Sequence, residues 1–303
     1  MAAYHRKYQL QWKCGFIYLA VCILLLGIVF ELTISKKTTM IFYQPLNRDS
    51  SVTEKEWKEL SNDIQMAGLD TLVVQWNQYG VESFGGPDGW VANNLALFMN
   101  DGVDIWLGLY SDPDYFLKIH TSVEKQNVYL KQYFKKVNHA YKKWESWRIY
   151  HQSHIKGLYF PLELSDYDFD TPQKRQQLNL ILRQVSDTYN ESLMISVYLS
   201  GELSSDEVAQ WVGSIRSLGI EVYVQDGRGT QLIADEKWKD YSSSFGCGIG
   251  LIKEIFVQTN HSPFEAIPIG KYDFEMLQKV GNCNDNVLFS LRYLPLSNNP
   301  LQY

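Results

Sequence analysis

Short apolar segments alternate with amphipathic segments along most of this chain. The apolar segments are rich in Val, Ile, Leu and aromatic residues and predict buried strands, whereas apolar residues at three- and four-residue spacing between them predict helices. Strands that read as continuous apolar runs are typical of parallel sheets covered by helices. The predicted strands are residues 40–46, 71–76, 104–110, 155–163, 193–198, 221–225, 248–258 and 287–292.

Signals for helix starts stand between the predicted strands. Thr53 with Glu56, and Ser204 with Glu207, have the spacing of a capping box, and Pro172 suits the first turn of a helix. Eight strand–helix units in 303 residues predict a closed (β/α)8 barrel, the TIM-like fold, whose usual size is about 250 residues. No dinucleotide-binding fingerprint follows the first strand, so an open Rossmann-like sheet is disfavoured.

The beginning of the chain has a different pattern. Three basic residues precede a run of 17 residues without a charge, Cys14–Phe30. As a helix this run is about 25 Å long, which is short for a membrane span but long for the core of a signal peptide. We therefore predict a cytoplasmic stub and a signal-anchor helix in residues 1–35 and a periplasmic barrel domain in residues 36–303, tethered to the inner membrane. A cleaved signal peptide remains the alternative.

The composition excludes some classes of function. A formal net charge of −6 argues against a nucleic-acid-binding protein, which would carry a clustered basic surface. The six histidines show no metal-ligand spacing and no Gly-x-Ser-x-Gly motif is present, so the sequence predicts no metal ion, no cofactor and no serine-hydrolase site. Aromatic residues make up 14% of the chain, which suits a sugar-binding site but also suits a barrel core.

Cys247 and Cys283 fall in the predicted exported domain, while the other two cysteines lie in the uncharged N-terminal run. Disulfides form in oxidising compartments such as the bacterial periplasm. We hypothesise that Cys247 and Cys283 form a disulfide, a pairing that requires their sulfur atoms to lie within bonding distance.

Polar and aromatic side chains follow six consecutive predicted strands. In a barrel of this kind the C-terminal ends of the strands meet at one rim, where active sites are found. Hydroxyl-rich substrates need hydrogen-bonding groups together with flat apolar surfaces, so this set predicts a carbohydrate site. We assign the binding of sugar hydroxyls to Gln44, Gln75 and Gln225, and stacking on sugar rings to Trp76, Tyr110 and Tyr198.

Two carboxylates at this rim are candidates for catalysis. Glu163 ends the apolar fourth strand, and Pro161 before it is expected to interrupt the pairing of that strand. Burial raises the pKa of a carboxyl group, which suits Glu163 as a general acid. Asp226 follows the sixth strand and precedes Gly227, and it suits the second carboxylate, as nucleophile or as base for water. The alternative is that Glu163 only caps the loop that follows it.

Four strand-end motifs occur in order along the chain. They are Tyr43-Gln44-Pro45-Leu46, Gln75-Trp76-x-x-Tyr79-Gly80, Pro161-Leu162-Glu163 and Gln225-Asp226-Gly227. With them the chain, over roughly residues 40–293, resembles a bacterial family of formerly uncharacterised barrel domains regarded as candidate glycoside hydrolases. More closely, the whole chain with its N-terminal hydrophobic segment is similar to an enterobacterial member associated with an exopolysaccharide synthase and exporter, a system that a phage uses as its receptor. The resemblance implies a periplasmic (β/α)8 barrel that acts on an exported glycan, with the synthase and exporter complex as a partner.

Glu254 departs from the pattern of many retaining glycosidases of this architecture, which carry a nucleophilic glutamate at the end of the seventh strand. The sequence places Glu254 inside or before the predicted strand 248–258, with Gln258 or Thr259 at its end. The expected partner of Glu163 is therefore Asp226. Two other hypotheses stay open, a non-catalytic barrel that binds glycan and assists its export, and a structural subunit of an envelope complex with an extensive exposed apolar patch.

Overall fold

A closed ring of eight parallel strands forms the body of the protein in the computed structural model, which describes residues 39–279 and 284–302. Around the ring the strands follow one another in chain order, and the last pairs with the first. They are β1 (Thr39–Tyr43), β2 (Thr71–Val74), β3 (Asp104–Gly108), β4 (Ile155–Ser165), β5 (Ser192–Tyr198), β6 (Ile220–Gln225), β7 (Gly250–Glu254) and β8 (Asn286–Phe289). The predicted (β/α)8 barrel is confirmed.

Helices between the strands cover the outside of the ring. They are α1 (Glu54–Met66), α2 (Trp90–Asn100), α3 (Tyr115–Ile119), α4 (Val123–Lys143), α5 (Glu145–Tyr150), α6 (Pro172–Ser186), α7 (Ser205–Arg216), α8 (Asp235–Ser244) and α9 (Lys271–Lys279). Single turns of 3-10 helix occupy Asn47–Ser51, Gly86–Asp88 and Leu291–Tyr293. Two pairs of short strands stand outside the ring, Gln78–Tyr79 with Tyr110–Ser111 and Phe256–Asn260 with Glu265–Pro268.

The predicted helix starts are confirmed by their capping hydrogen bonds. At α1 the Glu56 N–H donates to Thr53 Oγ1 at 3.3 Å, and the Thr53 N–H donates back to the Glu56 carboxylate at 2.8 Å. Ser204 and Glu207 make the same reciprocal pair at α7. Pro172 lies in the first turn of α6, where its missing N–H costs nothing.

The predicted signal-anchor lies outside the described residues. Within residues 39–279 and 284–302, no helix is long and apolar enough to cross a membrane. The barrel belongs to the compact unit Thr38–Tyr303.

Side chains of the barrel strands alternate between two environments. One face packs against the helices in the main core, and the other fills the inside of the ring. The interior residues are Met40, Phe42, Val73, Trp106, Tyr159, Met194, Tyr223, Ile252 and Val287. Because the alternation repeats every two residues, the side chain two positions beyond an interior residue faces the C-terminal mouth of the barrel. This rule places Gln44, Gln75, Gln225, Glu254 and Phe289 at the mouth.

Strand β4 reaches the mouth through an irregularity. Its pairing with β5 shifts register between Phe160 and Glu163, so that Pro161 and the residue after it are left out of the ladder. Proline has no N–H to donate to a neighbouring strand, which explains the bulge at this point. The predicted interruption before Glu163 is confirmed. The predicted end of the strand is wrong, because pairing resumes at Glu163 and β4 continues to Ser165.

The predicted seventh strand, residues 248–258, is two strands in the structure. Strand β7 ends at Glu254, and Phe256–Asn260 then leaves the ring to pair antiparallel with Glu265–Pro268. Every residue of β7 is buried, whereas most of the following strand is exposed. Both segments are strand-like in sequence, so the change of direction at Ile255 left no signal in the pattern. Glu254 is therefore the last residue of the seventh barrel strand.

Asp166 joins the loop after β4 to the loop after β5. Its side chain is fully buried and accepts hydrogen bonds from the backbone N–H groups of Ser200, Gly201, Glu202 and Leu203 at 2.5 to 3.2 Å, and from the Ser200 hydroxyl at 2.8 Å. Hydrogen bonds to a charged acceptor are stronger than neutral ones. The rim of the barrel between β4 and β5 therefore depends on this one carboxylate.

Substituting Asp166→Asn is predicted to destabilise the protein by about 2–4 kcal/mol, because the amide nitrogen would face backbone donors that are left without an acceptor. The free energy of unfolding from urea titration measures the loss. Asp170→Asn is the control, since the Asp170 side chain is exposed and pairs with Lys174 at 2.9 Å. Equal midpoints for the two variants would contradict the role given to Asp166.

Candidate active site

A cavity of about 450 Å³ opens at the C-terminal mouth of the barrel. It is lined by Gln44, Phe116, Glu163, Tyr198, Gln225, Thr230, Glu254, Phe256, Phe264, Phe289 and Tyr293. A wider groove of about 780 Å³ lies on the outer surface beside α1 and α9, away from the strand ends. We take the mouth cavity as the candidate site, because it combines two carboxylates with amide groups and aromatic rings at the rim where such barrels carry their active sites.

Glu163 lies in the cavity wall, two residues before the end of β4. The register shift at Pro161 sets Glu163 opposite Ser196 of β5 and directly above the interior residue Tyr159. The Tyr159 hydroxyl lies 2.8 Å from Ser196 Oγ. The Gln75 side-chain amide donates to Glu163 Oε1 at 3.2 Å. Burial raises the pKa of Glu163 above the usual glutamate value, and the hydrogen bond from Gln75 opposes that rise.

Glu254 faces the same cavity from the end of β7. Its Oε2 atom accepts two backbone hydrogen bonds, from Gly229 N–H at 2.7 Å and from Thr230 N–H at 3.1 Å. Burial is the main reason that the pKa of Glu254 rises to about 7. The negative charge of Asp226 and, more weakly, that of Glu163 also raise this pKa, whereas the two N–H groups lower it. One oxygen is therefore fixed by the backbone, and the carboxylates of Glu254 and Glu163 influence each other across the cavity.

Asp226 lies behind Glu254 and is absent from the described lining of the cavity. Its side chain is 4% exposed, and Oδ1 accepts hydrogen bonds from the backbone N–H of Glu254 at 3.1 Å and of Arg228 at 3.3 Å. Burial raises the pKa of Asp226 to about 6, against these two hydrogen bonds. The structure thus gives Asp226 contacts with the backbone around Glu254.

The turn from Asp226 to Thr230 brings backbone N–H groups to Glu254. Gly227 has a φ of +60°, and its carbonyl oxygen accepts a hydrogen bond from the Thr230 hydroxyl at 3.2 Å. Gly229 leaves no room for a side chain, since a Cβ atom there would lie 2.7 Å from the Phe256 ring and 2.9 Å from Glu254 Oε2. Glycine at this position allows the backbone to approach the carboxylate closely enough to donate to it.

Among the predicted binding residues, Gln44, Gln225 and Tyr198 line the cavity. Burial raises the pKa of Tyr198 to about 12, and the charges of Glu254, Asp166 and Glu163 add to the rise, so its hydroxyl stays protonated near the carboxylates. Such a hydroxyl can donate a hydrogen bond to a sugar or to a carboxylate.

The other three predicted binding residues lie in the wall of the barrel. Gln75 is buried and donates to Glu163. The buried Trp76 ring donates from Nε1 to the Pro45 carbonyl oxygen at 3.1 Å, and the buried Tyr110 hydroxyl accepts from Lys136 Nζ at 3.1 Å. Trp76 and Tyr110 therefore present no open ring face at the mouth, because each ring is covered by its neighbours.

Sequence reasoning missed part of the site. The sequence does not predict Glu254 at the mouth, because the apolar pattern of the seventh strand continues past it, and Thr230 belongs to a turn without a recognisable motif. An aromatic wall was missed as well, formed by Phe116, Phe256, Phe264, Phe289 and Tyr293. Of these only Phe289 could have been found in advance, by counting two residues on from the interior residue Val287.

Cys247 is disulfide-bonded. Its expected partner Cys283 lies outside the described residues, so the pairing of the two stays a prediction. Among the described residues, no group of three or more His, Cys, Asp or Glu side chains is arranged to hold a metal ion.

Comparisons with known proteins agree with the fold. Residues 39–279 match the model of a family described as a domain of unknown function, DUF4434. The uncharacterized protein YbcH of Escherichia coli (strain K12) is 30% identical over 280 residues, which cover 87% of this chain and 92% of YbcH. A candidate alpha-L-fucosidase from Bacteroides thetaiotaomicron superposes with a TM-score of 0.60 at 17% identity, over 88% of this chain and 89% of that one. This last similarity concerns the fold of the barrel.

Asp226→Asn is predicted to flatten the dependence of stability on pH. The pKa values of Asp226 and Glu254 are raised in the folded state, so the stability they contribute is present at low pH and is lost as pH rises through about 6 and 7. Asparagine does not titrate, so the variant no longer loses the stability that ionisation of Asp226 removes. The pKa of Glu254 also falls, because the negative charge of Asp226 is gone. Between pH 4 and pH 8 the variant should lose about 2–3 kcal/mol less unfolding free energy than the wild type.

Urea unfolding at several pH values measures this difference. Asp170→Asn is the control, and its curve should run parallel to that of the wild type. An Asp226→Asn curve that also runs parallel would show that the buried pair does not titrate as described.

Proposed function

The chain belongs to the DUF4434 family, and we propose that within this family the barrel is a retaining glycoside hydrolase that uses Glu163 and Glu254 as its two carboxylates. One observation carries the proposal. Glu163, two residues before the end of the fourth strand, and Glu254, at the end of the seventh strand, line one cavity at the mouth of the barrel. Cleavage of a glycosidic bond with retention requires two carboxyl groups on opposite sides of that bond.

Glu163 is the general acid in this proposal. Its pKa is raised by burial, and its side chain accepts a hydrogen bond from the uncharged amide of Gln75. The protonated carboxyl donates its proton to the glycosidic oxygen as the bond to the anomeric carbon breaks. Glu163 then takes a proton from water in the second step, which regenerates the protonated acid.

Glu254 is the nucleophile. Its Oε2 atom is held by the N–H groups of Gly229 and Thr230, which favour the charged carboxylate and fix its orientation. The carboxylate attacks the anomeric carbon while the leaving group departs with the proton from Glu163, giving a covalent glycosyl ester. Water, deprotonated by Glu163, attacks the same carbon, and Glu254 leaves as a carboxylate.

Asp226 supports Glu254 in this scheme. It binds the backbone N–H groups of Glu254 and Arg228, and so holds the turn that carries Gly229 and Thr230. The negative charge of Asp226 raises the pKa of Glu254, which works against ionisation of the nucleophile. The two N–H groups on Glu254, and protonation of the neighbouring Glu163, oppose this effect.

The remaining lining suits a sugar ring. Gln44 and Gln225 offer amide groups for hydroxyls, and Tyr198 offers a protonated phenol beside both carboxylates. Phe289 and Tyr293 are partly exposed, and both pack on the buried Phe256 ring, with centroids 5.0 Å apart between Phe256 and Tyr293 and 6.4 Å apart between Phe256 and Phe289. Phe289 and Tyr293 form an aromatic surface that Phe256 supports. In this proposal that surface takes the stacking role that the sequence assigned to Trp76 and Tyr110.

We propose that the substrate is a polysaccharide exported by the bacterium, and that the barrel works in the periplasm beside a glycan synthase and exporter. The uncharged run Cys14–Phe30 and the resemblance of the strand-end motifs support this setting. Cell fractionation and N-terminal sequencing test the tether. A mature protein that is soluble and starts near Lys36 would show that the segment is a cleaved signal peptide and would contradict the signal-anchor.

Substitution of the two glutamates by glutamine is predicted to separate their roles. On aryl glycosides with a poor leaving group, Glu163→Gln should lower kcat by about 10²- to 10⁴-fold, because protonation of the departing oxygen is lost. On 2,4-dinitrophenyl glycosides, whose leaving group needs no proton, added azide should restore turnover by this variant. Glu254→Gln should abolish turnover of both substrates, and azide attacking in place of the missing carboxylate would give a product of inverted configuration.

Glu202→Gln is the matched control, since Glu202 is exposed on the loop after β5. This variant should cleave like the wild type. The assignment is wrong if Glu163→Gln and Glu254→Gln both cleave like the control. A wild-type protein that binds the polymer but never cuts it would favour the non-catalytic glycan-binding barrel instead.

A further inference from the structure

An exposed group of rings lies beside the mouth of the barrel, on the loops that follow β3 and β4. We call it the aromatic platform and define it as Phe116, His120 and Tyr167. The rings of His120 and Tyr167 stack with centroids 4.0 Å apart and planes 11° from parallel. Tyr167 is 49% exposed and Phe116 is 60% exposed, although both are large apolar rings. Rings that are stacked on each other and still open to solvent offer a flat surface to a ligand.

The aromatic platform is held by hydrogen bonds between the two loops. His120 Nδ1 lies 3.3 Å from Asp168 Oδ1, and Asp168 Oδ2 accepts from the Ser165 hydroxyl at 2.6 Å. The buried Gln126 amide donates to the carbonyl oxygens of Ile119 at 3.2 Å and Asp168 at 3.0 Å, and so ties the end of α3 to the loop after β4. The rings are therefore positioned in advance, which reduces the entropy lost when a ligand binds.

Phe116 connects the platform to the cavity, because it stands four residues before His120, about one helical turn away along α3. Phe116 lines the cavity together with Glu163, and the neighbouring Tyr115 hydroxyl donates to the Glu163 carbonyl oxygen at 3.3 Å. Across the ring of strands, the hairpin after β7 contributes Phe256 and Phe264 to the opposite wall. Aromatic groups thus stand on both the β3–β4 side and the β7 side of the two carboxylates.

We propose, on the basis of the proposed hydrolase function, that the aromatic platform is a distal subsite that binds a sugar unit beyond the cleavage point. The substrate class is then a long glycan chain, which occupies the cavity with one part and the platform with another. The flat C–H face of a pyranose packs on aromatic rings, while its hydroxyls remain hydrated at the open edge of the platform. A single monosaccharide in the cavity would leave the platform empty.

The geometry favours a glycan over the other ligand classes that use aromatic surfaces. Phe116 belongs both to the platform and to the cavity that holds the proposed cleavage site, so a chain bound in that cavity can extend onto the platform. Asp168, which pairs with His120, places a carboxylate under the platform, and this disfavours a strongly anionic ligand.

Binding of glycan fragments of different length tests the subsite. The probe is the exopolysaccharide extracted from the producing strain, partly hydrolysed with acid and separated into short fragments of two or three sugars and long fragments of eight or more. Affinities are measured by calorimetry on the full chain carrying Glu163→Gln, so that no fragment is cleaved during the measurement. The proposal expects long fragments to bind at least tenfold more tightly than short ones.

Tyr167→Ala in the same background should weaken binding of long fragments about tenfold, the loss expected when one aromatic contact is removed, and should leave short fragments unchanged. Tyr167→Phe keeps the ring and should bind both like the parent. Tyr150→Ala is the matched control, because Tyr150 is 83% exposed at the end of α5, remote from the strand ends that form the mouth.

Equal affinity of the parent for short and long fragments, no measurable binding, or a Tyr167→Ala variant with unchanged length dependence would overturn the subsite. Weakened binding of short fragments as well would show that Tyr167 acts on the cavity or on folding, and would also overturn it. These outcomes concern binding alone. The cleavage experiment tests the hydrolase separately. A non-catalytic barrel with a working platform would bind long fragments more tightly but cleave nothing, whereas a hydrolase without the subsite would cleave and bind short and long fragments equally.

Discussion

The two-residue alternation of side chains along the barrel strands is the constraint on which the site depends. An interior layer of apolar residues closes the barrel, and the next inward-facing position of each strand carries the side chain that reaches the mouth. Ile252 is followed in this way by Glu254, and Tyr223 by Gln225. In strand β4 the bulge adds two residues between Tyr159 and Glu163. Because the side-chain alternation repeats every two residues, Glu163 still lies on the same face of the strand as Tyr159. A bulge of one residue would turn the carboxylate toward the helices.

Placing carboxylates above an apolar layer has an electrostatic consequence. Burial raises the pKa values of Glu163, Asp226 and Glu254, and the last two reach about 6 and 7. The backbone compensates for part of this cost, through two N–H groups on Glu254 and two on Asp226. Asp226 and Glu254 therefore change their charge near neutral pH, and the proposed mechanism requires one protonated and one ionised carboxyl group in the cavity. The same arrangement lowers stability as pH rises, so the proposed function and stability oppose each other here.

The fold could be predicted from the sequence because each strand–helix unit carries local signals. Apolar runs gave the strands, and capping pairs such as Thr53 with Glu56 gave helix starts. Part of the cavity lining could be predicted as well, since Glu163, Gln44, Gln225 and Tyr198 stand at or near strand ends that the local pattern can locate. The rest depends on tertiary geometry. Nothing local shows that the chain leaves the ring after Glu254, or that a turn of Gly229 and Thr230 folds back on that carboxylate. Burial of the Trp76 ring against Pro45 is equally invisible in the sequence.

Covalent trapping tests the central claim, that Glu254 is the nucleophile and Glu163 the acid, most directly. The full chain would be incubated with activated 2-deoxy-2-fluoroglycosides of the sugar configuration that it hydrolyses, which slow the release of a glycosyl ester. Peptide mass spectrometry should find one fluorosugar on the peptide that contains Glu254, and none in the Glu254→Gln variant. A label on Asp226 or Glu163, or turnover of the parent glycoside with no label on any carboxylate, would contradict the account.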